Sequence, residues 1–393
     1  MIIHFFARLR MKTILMIGST VEKICRLFNK GGTGLPGFIA IKLYPNIVNV
    51  LAEDVRVILV SGTNGKTTTV HMMAHMLIGN GIQCIHTSHG ENIESGIVSI
   101  LMKNIDRHSL LPVGHLAVIE CDEKYLPKMI DALNPICVTI TNILCDQTDR
   151  LGQPEEIAAL FAETLKDYNG RVCCDMTERL IAQAVSGVSR DNLVDFTHFK
   201  EKITVGGKIF DAMLSIPGDY NISNAAAAIA SLMCTGLFDD GMLKSLPNVP
   251  TLFGRMETFN IGSRTVILNM AKNAVGVAET MKYILKEKPD VRLIMGFYDN
   301  AADGRDLSWL QSVGWDDYDD ILSDALVYAA GGRRQAEYLP FSDISKRLIL
   351  SPSELLREIS KSEKATFMML NYSCMMEVRN ELARKKYIKQ FWE

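Results

Sequence analysis

Apolar residues run almost unbroken over residues 55–60 (Val-Arg-Val-Ile-Leu-Val), stop at a polar, glycine-bearing stretch from Ser61 to Thr69, and resume at helical spacing over residues 70–77. A short apolar run bounded by glycine predicts a buried strand, and the spacing that follows predicts a helix. The alternation repeats. Residues 82–87, 116–119 and 136–140 read as further strands, each opening into a polar segment at its C-terminal end. This order predicts a parallel sheet with helices on its faces and ligands gathered at the strand C-termini. Residues 12–30 have helical spacing and run into residues 31–37, where four glycines and a proline predict a loop. That loop is either a ligand-approaching segment or a plain connector. Residues 38–44 predict a short helix, and 154–168 an amphipathic helix with proline at its start. Residues 172–175 read as a strand and its exit, 193–216 hold short strands, and an alanine-rich helix begins at Ala225. Pro247 and Pro250 bracket a linker, beyond which strands at 265–268 and 291–295 predict a second α/β domain.

Composition narrows the class. The chain has 393 residues, 48% hydrophobic and 22% charged, with a formal net charge of -3, a balance that calls for no nucleic acid. No uncharged apolar run of about 18 residues occurs, so no integral membrane segment is expected. Residues 1–10 are apolar and basic, but His4 and Arg8 interrupt them, and a cytoplasmic helix or a start at Met11 is expected rather than a signal peptide. Nine cysteines include no C-x-x-C pair, which argues against a zinc ribbon or a spaced disulfide framework and for reduced thiols in a cytoplasmic setting.

The chemistry centres on Gly62-Thr63-Asn64-Gly65-Lys66-Thr67-Thr68, between the predicted strand and helix. Main-chain NH groups and a helix N-terminus facing an anion make a phosphate-binding loop. Here Lys66 reaches the outer phosphates and Thr67 places its hydroxyl on Mg²⁺. The first glycine of the usual G-x-x-x-x-G-K-[ST] pattern is missing, since Val60 stands in its place. At the end of the 116–119 strand, Glu120, Asp122 and Glu123 offer hard oxygen ligands, with Glu120 expected on the metal; a solvated acidic turn is the alternative. Thr141-Asn142 leads to Asp146 and Gln147, read either as contacts to metal-bound water or substrate or, for Asp146, as a helix cap. Asn221, near the alanine-rich helix, reads as a nucleotide contact or a cap. His86 and His89 read as solvated loop histidines. Arg255, Lys272 and Asn273, in the second domain, would reach ATP on domain closure, although singly such cations are ordinary surface residues.

Taken together, these stations resemble the Mur ligase superfamily, ATP-dependent enzymes that join an amine to a carboxylate through an acyl phosphate. The loop from Gly62, Glu120, Thr141-Asn142, Tyr220-Asn221 with Asn224, and Gly254-Arg255-Met256-Glu257 carry the likeness. Residues 31–37, Asp146-Gln147 with Asp149-Arg150, Ala271-Lys272-Asn273, and 302–306 with Ser308-Trp309 are similar to signatures of its MurT branch, the ligase-like subunit of lipid II isoglutaminyl synthase.

The resemblance implies an α/β fold: a P-loop, parallel-sheet ATPase domain of Mur ligase type followed by a smaller Rossmann-like α/β domain. Its parts would be an N-terminal helix and glycine-rich region over 1–48, a central ATP-binding domain over 49–246 and a C-terminal domain over 247–393. It implies ATP and Mg²⁺, a GatD-type glutamine amidotransferase partner that supplies ammonia, and amidation of the D-glutamate α-carboxylate of lipid II at the membrane surface. An aspartate supporting the partner's Cys-His pair would be Asp316, with Asp306 second. The chain departs from the branch in lacking the four-cysteine ribbon, so no zinc is expected. Cys145 replaces an arginine, Ala274 a proline, and residues 311–314 look inserted. A stand-alone Mur-type amino-acid ligase and a non-catalytic nucleotide-binding paralogue remain the alternatives.

Overall fold

The computed structural model describes residues 2–27, 34–88, 91–106, 108–145, 152–216, 218–288, 290–300, 303–331, 334–341 and 343–389. Its internal contacts divide the chain into two compact units, one built from residues 1–143, 154–215 and 219–249, the other chiefly from residues 250–393.

The first unit opens with helices α1 (Ile2–Leu27), α2 (Leu35–Leu43) and α3 (Ile47–Leu51). The loop expected over 31–37 differs at its end, because Pro36 and Gly37 lie inside α2; residues 31–33 fall outside the described residues. Proline is tolerated in a first helical turn, where its missing NH has no partner to lose. Gly37 is there for packing: a Cβ would run into the Ser95 carbonyl of α5 (Glu94–Lys103), and its NH donates to Ser99 Oγ at 2.8 Å.

The sheet of this unit has eight strands. They are β1 (Arg56–Ser61), β2 (Ile85–His86), β3 (Leu116–Glu120), β4 (Cys137–Ile140), β5 (Arg171–Cys174), β6 (Leu193–Phe199), β7 (Lys202–Val205) and β8 (Lys208–Asp211), in the order β2-β3-β1-β4-β5-β6-β7-β8. Pairing is parallel from β2 through β6, and β7 and β8 add an antiparallel edge. The central strands are buried along nearly their whole length, as sheets covered on both faces require. Helices α4 (Lys66–Gly79), α6 (Leu126–Leu133), α7 (Pro154–Leu165), α8 (Arg179–Ala184) and α9 (Asp219–Cys234) complete the unit. The alanines of α9 let it pack closely on α4 and on β4 to β7; it begins six residues before the predicted start at Ala225.

The second unit is a six-stranded sheet ordered β13-β12-β11-β14-β10-β9. Its strands are β9 (Glu257–Ile261), β10 (Arg264–Met270), β11 (Val291–Gly296), β12 (Leu326–Tyr328), β13 (Leu348–Ile349) and β14 (Ala365–Leu370), and only the β9–β10 pair is antiparallel. Helices α10 (Ala274–Glu287), α11 (Asp319–Leu322), α12 (Pro352–Lys361) and α13 (Tyr372–Arg384) flank it. Two apolar clusters, one around Phe367 and Met295 and one around Tyr328 and Met368, fill its faces. Among the described residues no helix is long and apolar enough to cross a membrane.

Candidate functional site

The loop after β1 owes its shape to two glycines. Gly62 and Gly65 have φ of 121° and 85°, a region where side chains are strained. A Cβ on Gly62 would strike Thr141 Oγ1, and one on Gly65 would strike Asn224 Oδ1. The backbone is therefore threaded between the ends of β4 and α9. Asn142 holds it from one side, its Oδ1 accepting from Asn64 N at 2.9 Å and its Nδ2 donating to Asn64 O at 3.1 Å. Thr141 Oγ1 donates to the same carbonyl at 2.7 Å, and Thr63 N donates to Asn142 O at 3.0 Å. Thr141 and Asn142 thus act as a brace for the loop.

Lys66, the first residue of α4, is buried and turned back over its own loop. Its Nζ donates to Gly62 O, to Thr63 O at 3.3 Å and to both carboxylate oxygens of Glu123 at 3.4 and 3.5 Å. Glu123 is 1% exposed, so this ion pair lies in a low-dielectric setting. One residue on, half-buried Thr67 donates its hydroxyl to Glu120 Oε2 at 2.7 Å. Glu120 ends β3, accepts from Asn92 Nδ2 at 3.3 Å through Oε1, and is fixed through its own NH, which donates to Thr87 Oγ1 at 2.8 Å. Asp122 caps the turn at Glu123–Tyr125, accepting from Lys124 N at 3.2 Å. Between these carboxylates, burial pushes the Cys121 thiol well above its ordinary range.

Asn221 is the third residue of α9, inside the helix rather than at its cap, and its Oδ1 accepts from Asn224 Nδ2 at 3.2 Å. Both asparagines are buried, and Asn224 underlies Gly65. The structure thus gathers Gly62, Thr63, Asn64, Gly65, Lys66, Thr67, Thr68, Glu120, Asn221 and Asn224 within one unit. A hydroxyl and a carboxylate side by side, next to a cation and a helix N-terminus opened by glycine, are donors suited to Mg²⁺ and phosphate. Sequence reasoning did not single out Glu123 as the partner of Lys66, or Asn92 and Thr87 as supports of Glu120. The acidic run pointed toward Glu123; nothing local marks the other two.

The predicted residues of the second unit form their own constellation. Met270 N donates to Gly254 O at 2.7 Å and Arg255 Nη1 donates to Met270 O at 3.4 Å, so the Arg255 turn lies on the strand end that leads to Lys272. Asn273 caps α10, its Oδ1 accepting from Gly276 N at 2.8 Å. Glu257 pairs with buried Arg379, whose guanidinium lies 4.2 Å from the centre of the Phe253 ring. Asp303 accepts from Ser373 N at the start of α13, and burial raises its pKa above 3.8. Asp306 accepts from Ser308 N at 2.9 Å, and Asp316 is exposed on the turn Trp315–Tyr318. His86 packs edge-on against His71, with ring centres 5.4 Å apart. Asp146, Gln147, Asp149, Arg150 and His89 lie outside the described residues.

Comparison with known proteins assigns the class. Residues 60–232 match the Mur ligase middle domain, and the fold resembles MurF ligase from Thermotoga maritima in complex with ADP, at a TM-score of 0.65 and 14% identity over 88% of this chain and 85% of that one. The chain belongs to the Mur ligase superfamily. Within it the relationship is to the MurT branch, because residues 270–375 match the MurT ligase C-terminal model. Two curated relatives are MurT subunits of lipid II isoglutaminyl synthase (glutamine-hydrolyzing). The one from Staphylococcus aureus (strain COL) is 26% identical over 77% of this chain and 81% of its own length. The one from Streptococcus pneumoniae is 24% identical over 96% and 98%.

Proposed function

We propose that this chain is the ATP-dependent, MurT-like subunit of a lipid II isoglutaminyl synthase. It would convert the D-glutamate α-carboxylate of lipid II to the amide, using ammonia from a GatD-type glutaminase. The observation that carries this reading is the match of residues 270–375 to the MurT ligase C-terminal model, since the loop alone speaks only for phosphate.

The chemistry divides between the residues. A carboxylate oxygen attacks the γ-phosphorus of ATP and ADP leaves; the ammonia lone pair then attacks the acyl carbon, inorganic phosphate leaves and a proton goes to solvent. The phosphoryl transfer brings anions together, so the protein supplies mainly positioning and positive charge. The loop amides and Lys66 would cradle the phosphates. Thr67 and Glu120 would hold Mg²⁺, which supplies positive charge across the phosphates. Asn221, Arg255, Lys272 and Asn273 are proposed as further nucleotide contacts, and Asp316 as the group that supports the glutaminase.

The test is reconstitution of the full chain with lipid II, ATP, Mg²⁺ and ammonia, followed by mass spectrometry of the stem peptide. Replacement of one carboxyl hydroxyl by an amine is the expected result. Incorporation of a free amino acid without any partner would instead identify a stand-alone ligase.

A further inference from the structure

Three thiols converge in the first unit, away from the loop. Cys137 opens β4, Cys173 lies on β5 and Cys234 ends α9. Register pairs Thr139 with Cys173, which sets Cys173 and Cys137 on the same face of the sheet, and the last turn of α9 brings Cys234 over them. The sulfur separations are 3.3 Å for Cys173–Cys234, 3.5 Å for Cys137–Cys234 and 3.7 Å for Cys137–Cys173. Cys137 and Cys173 are fully buried, whereas Cys234 is partly exposed. Among the described residues this is the group of cysteine, histidine and acidic side chains whose ligand atoms lie close enough together to hold a metal ion.

We propose that Cys137, Cys173 and Cys234 form a trithiolate site for a soft d¹⁰ cation, Zn²⁺ or Cu(I), distinct from the Mg²⁺ chemistry of the loop. Ligands with bonds of about 2.3 Å around a tetrahedral ion stand about 3.8 Å apart. The observed triangle is one face of such a tetrahedron, slightly contracted, and loading needs the sulfurs to move outward by only a few tenths of an ångström. Three thiolates and no carboxylate select thiophilic ions over hard ones. A three-coordinate ion is complete with these ligands, and a four-coordinate one takes a water on the side of Cys234, where solvent has access. Loading exchanges thiol protons for the ion, releases them to solvent and changes no oxidation state. Chain spacing hides the site, because the ligands come from positions 137, 173 and 234 rather than from a C-x-x-C knuckle.

The site would act as a clamp. β4 leads directly into Thr141 and Asn142, and α9 carries Asn224 in its opening turns, the residues that hold the loop. An ion joining β4, β5 and α9 would therefore tie together the elements on which the loop rests. The inference does not depend on the ligase reading.

To test it, the full chain is reduced, stripped with a chelator under argon and titrated with Zn²⁺ or Cu(I) against a chromophoric competitor. The expected result is one ion per chain for at least one of the two metals, with affinity at least 100-fold weaker in Cys173→Ser and in Cys234→Ser. The second variant alters the partly exposed ligand, in case the buried substitution unfolds the chain, and circular dichroism verifies the fold of both. Cys84→Ser, outside the trio, should bind as the unsubstituted chain does. Absence of stoichiometric binding of either ion, retention of full affinity by folded Cys234→Ser, or formation of a Cys173–Cys234 disulfide in place of any bound ion would overturn the proposal.

Discussion

Lys66 is engaged on two sides, by the carbonyls of its own loop and by the carboxylate of Glu123. The simplest mutational test of the site therefore confounds two effects. Lys66→Ala strands a buried Glu123 charge, and breaking one side of a buried pair costs about 3–5 kcal/mol. Loss of activity in that variant would report instability as much as lost phosphate binding. The double variant Lys66→Met with Glu123→Gln removes both charges at similar volume. We expect its urea midpoint to stay near that of the unsubstituted chain while ATP-dependent amide formation disappears. Retained turnover in the double variant would remove Lys66 from the mechanism.

The loop illustrates which parts of an element are written locally. A strand, a glycine turn and a helix were legible at residues 55–77 because apolar periodicity and glycine are local signals. The brace was legible only as a polar strand end, since the pairing of Asn142 with Asn64 spans 78 residues. Thr87 and Asn92, which orient Glu120, carried no signal, because their role exists only once β2 and β3 are neighbours. The start of α9 and the helical Gly37 depart from the local pattern because packing on α4 and α5 outweighs local propensity.

The tight passage at Gly65 yields a prediction. Gly65→Ala combines a φ of 85° with a collision against Asn224. The left-handed conformation alone costs about 1–2 kcal/mol. We expect a lower thermal midpoint and weaker binding of a fluorescent ATP analogue, and Gly65→Ala combined with Asn224→Ala should recover part of the loss by removing the collision; no recovery would deny the contact.

Asp303 faces the first turn of α13. Burial raises the Asp303 pKa above its ordinary 3.8, so the native state holds that proton more tightly than the unfolded chain does. The associated stability is present below the unfolded value and is lost as pH rises through the folded one. Asp303→Asn should therefore be more resistant to urea than the unsubstituted chain at pH 7, with the gap narrowing as pH falls toward 4. A constant gap across that range would show that the carboxyl does not titrate as described.

Considered as a whole, the chain joins a loop whose donors suit phosphate to a C-terminal unit with a narrower family relationship. Residues 311–313 close the turn Ser308–Val313, and Gly314, with a φ of 73°, follows just before Trp315. Trp315 and Tyr318 are buried, with Trp315 Nε1 donating to Leu310 O at 2.7 Å, while Asp316 and Asp317 between them face solvent. Two aromatic anchors thus fix a short turn that displays carboxylates outward. Asp306, in contrast, accepts from Ser308 N in its own turn. If Asp316 supports a glutaminase, its removal should affect glutamine use alone. In the reconstituted pair, Asp316→Asn should lower glutamine-dependent amidation at least tenfold, a barrier change of about 1.4 kcal/mol or more, and leave the rate with added ammonia within twofold. Equal loss with both nitrogen sources would place Asp316 in the fold or the ligase chemistry, and equal retention would pass the role to Asp306, whose Asn variant is then the one to separate the two nitrogen sources.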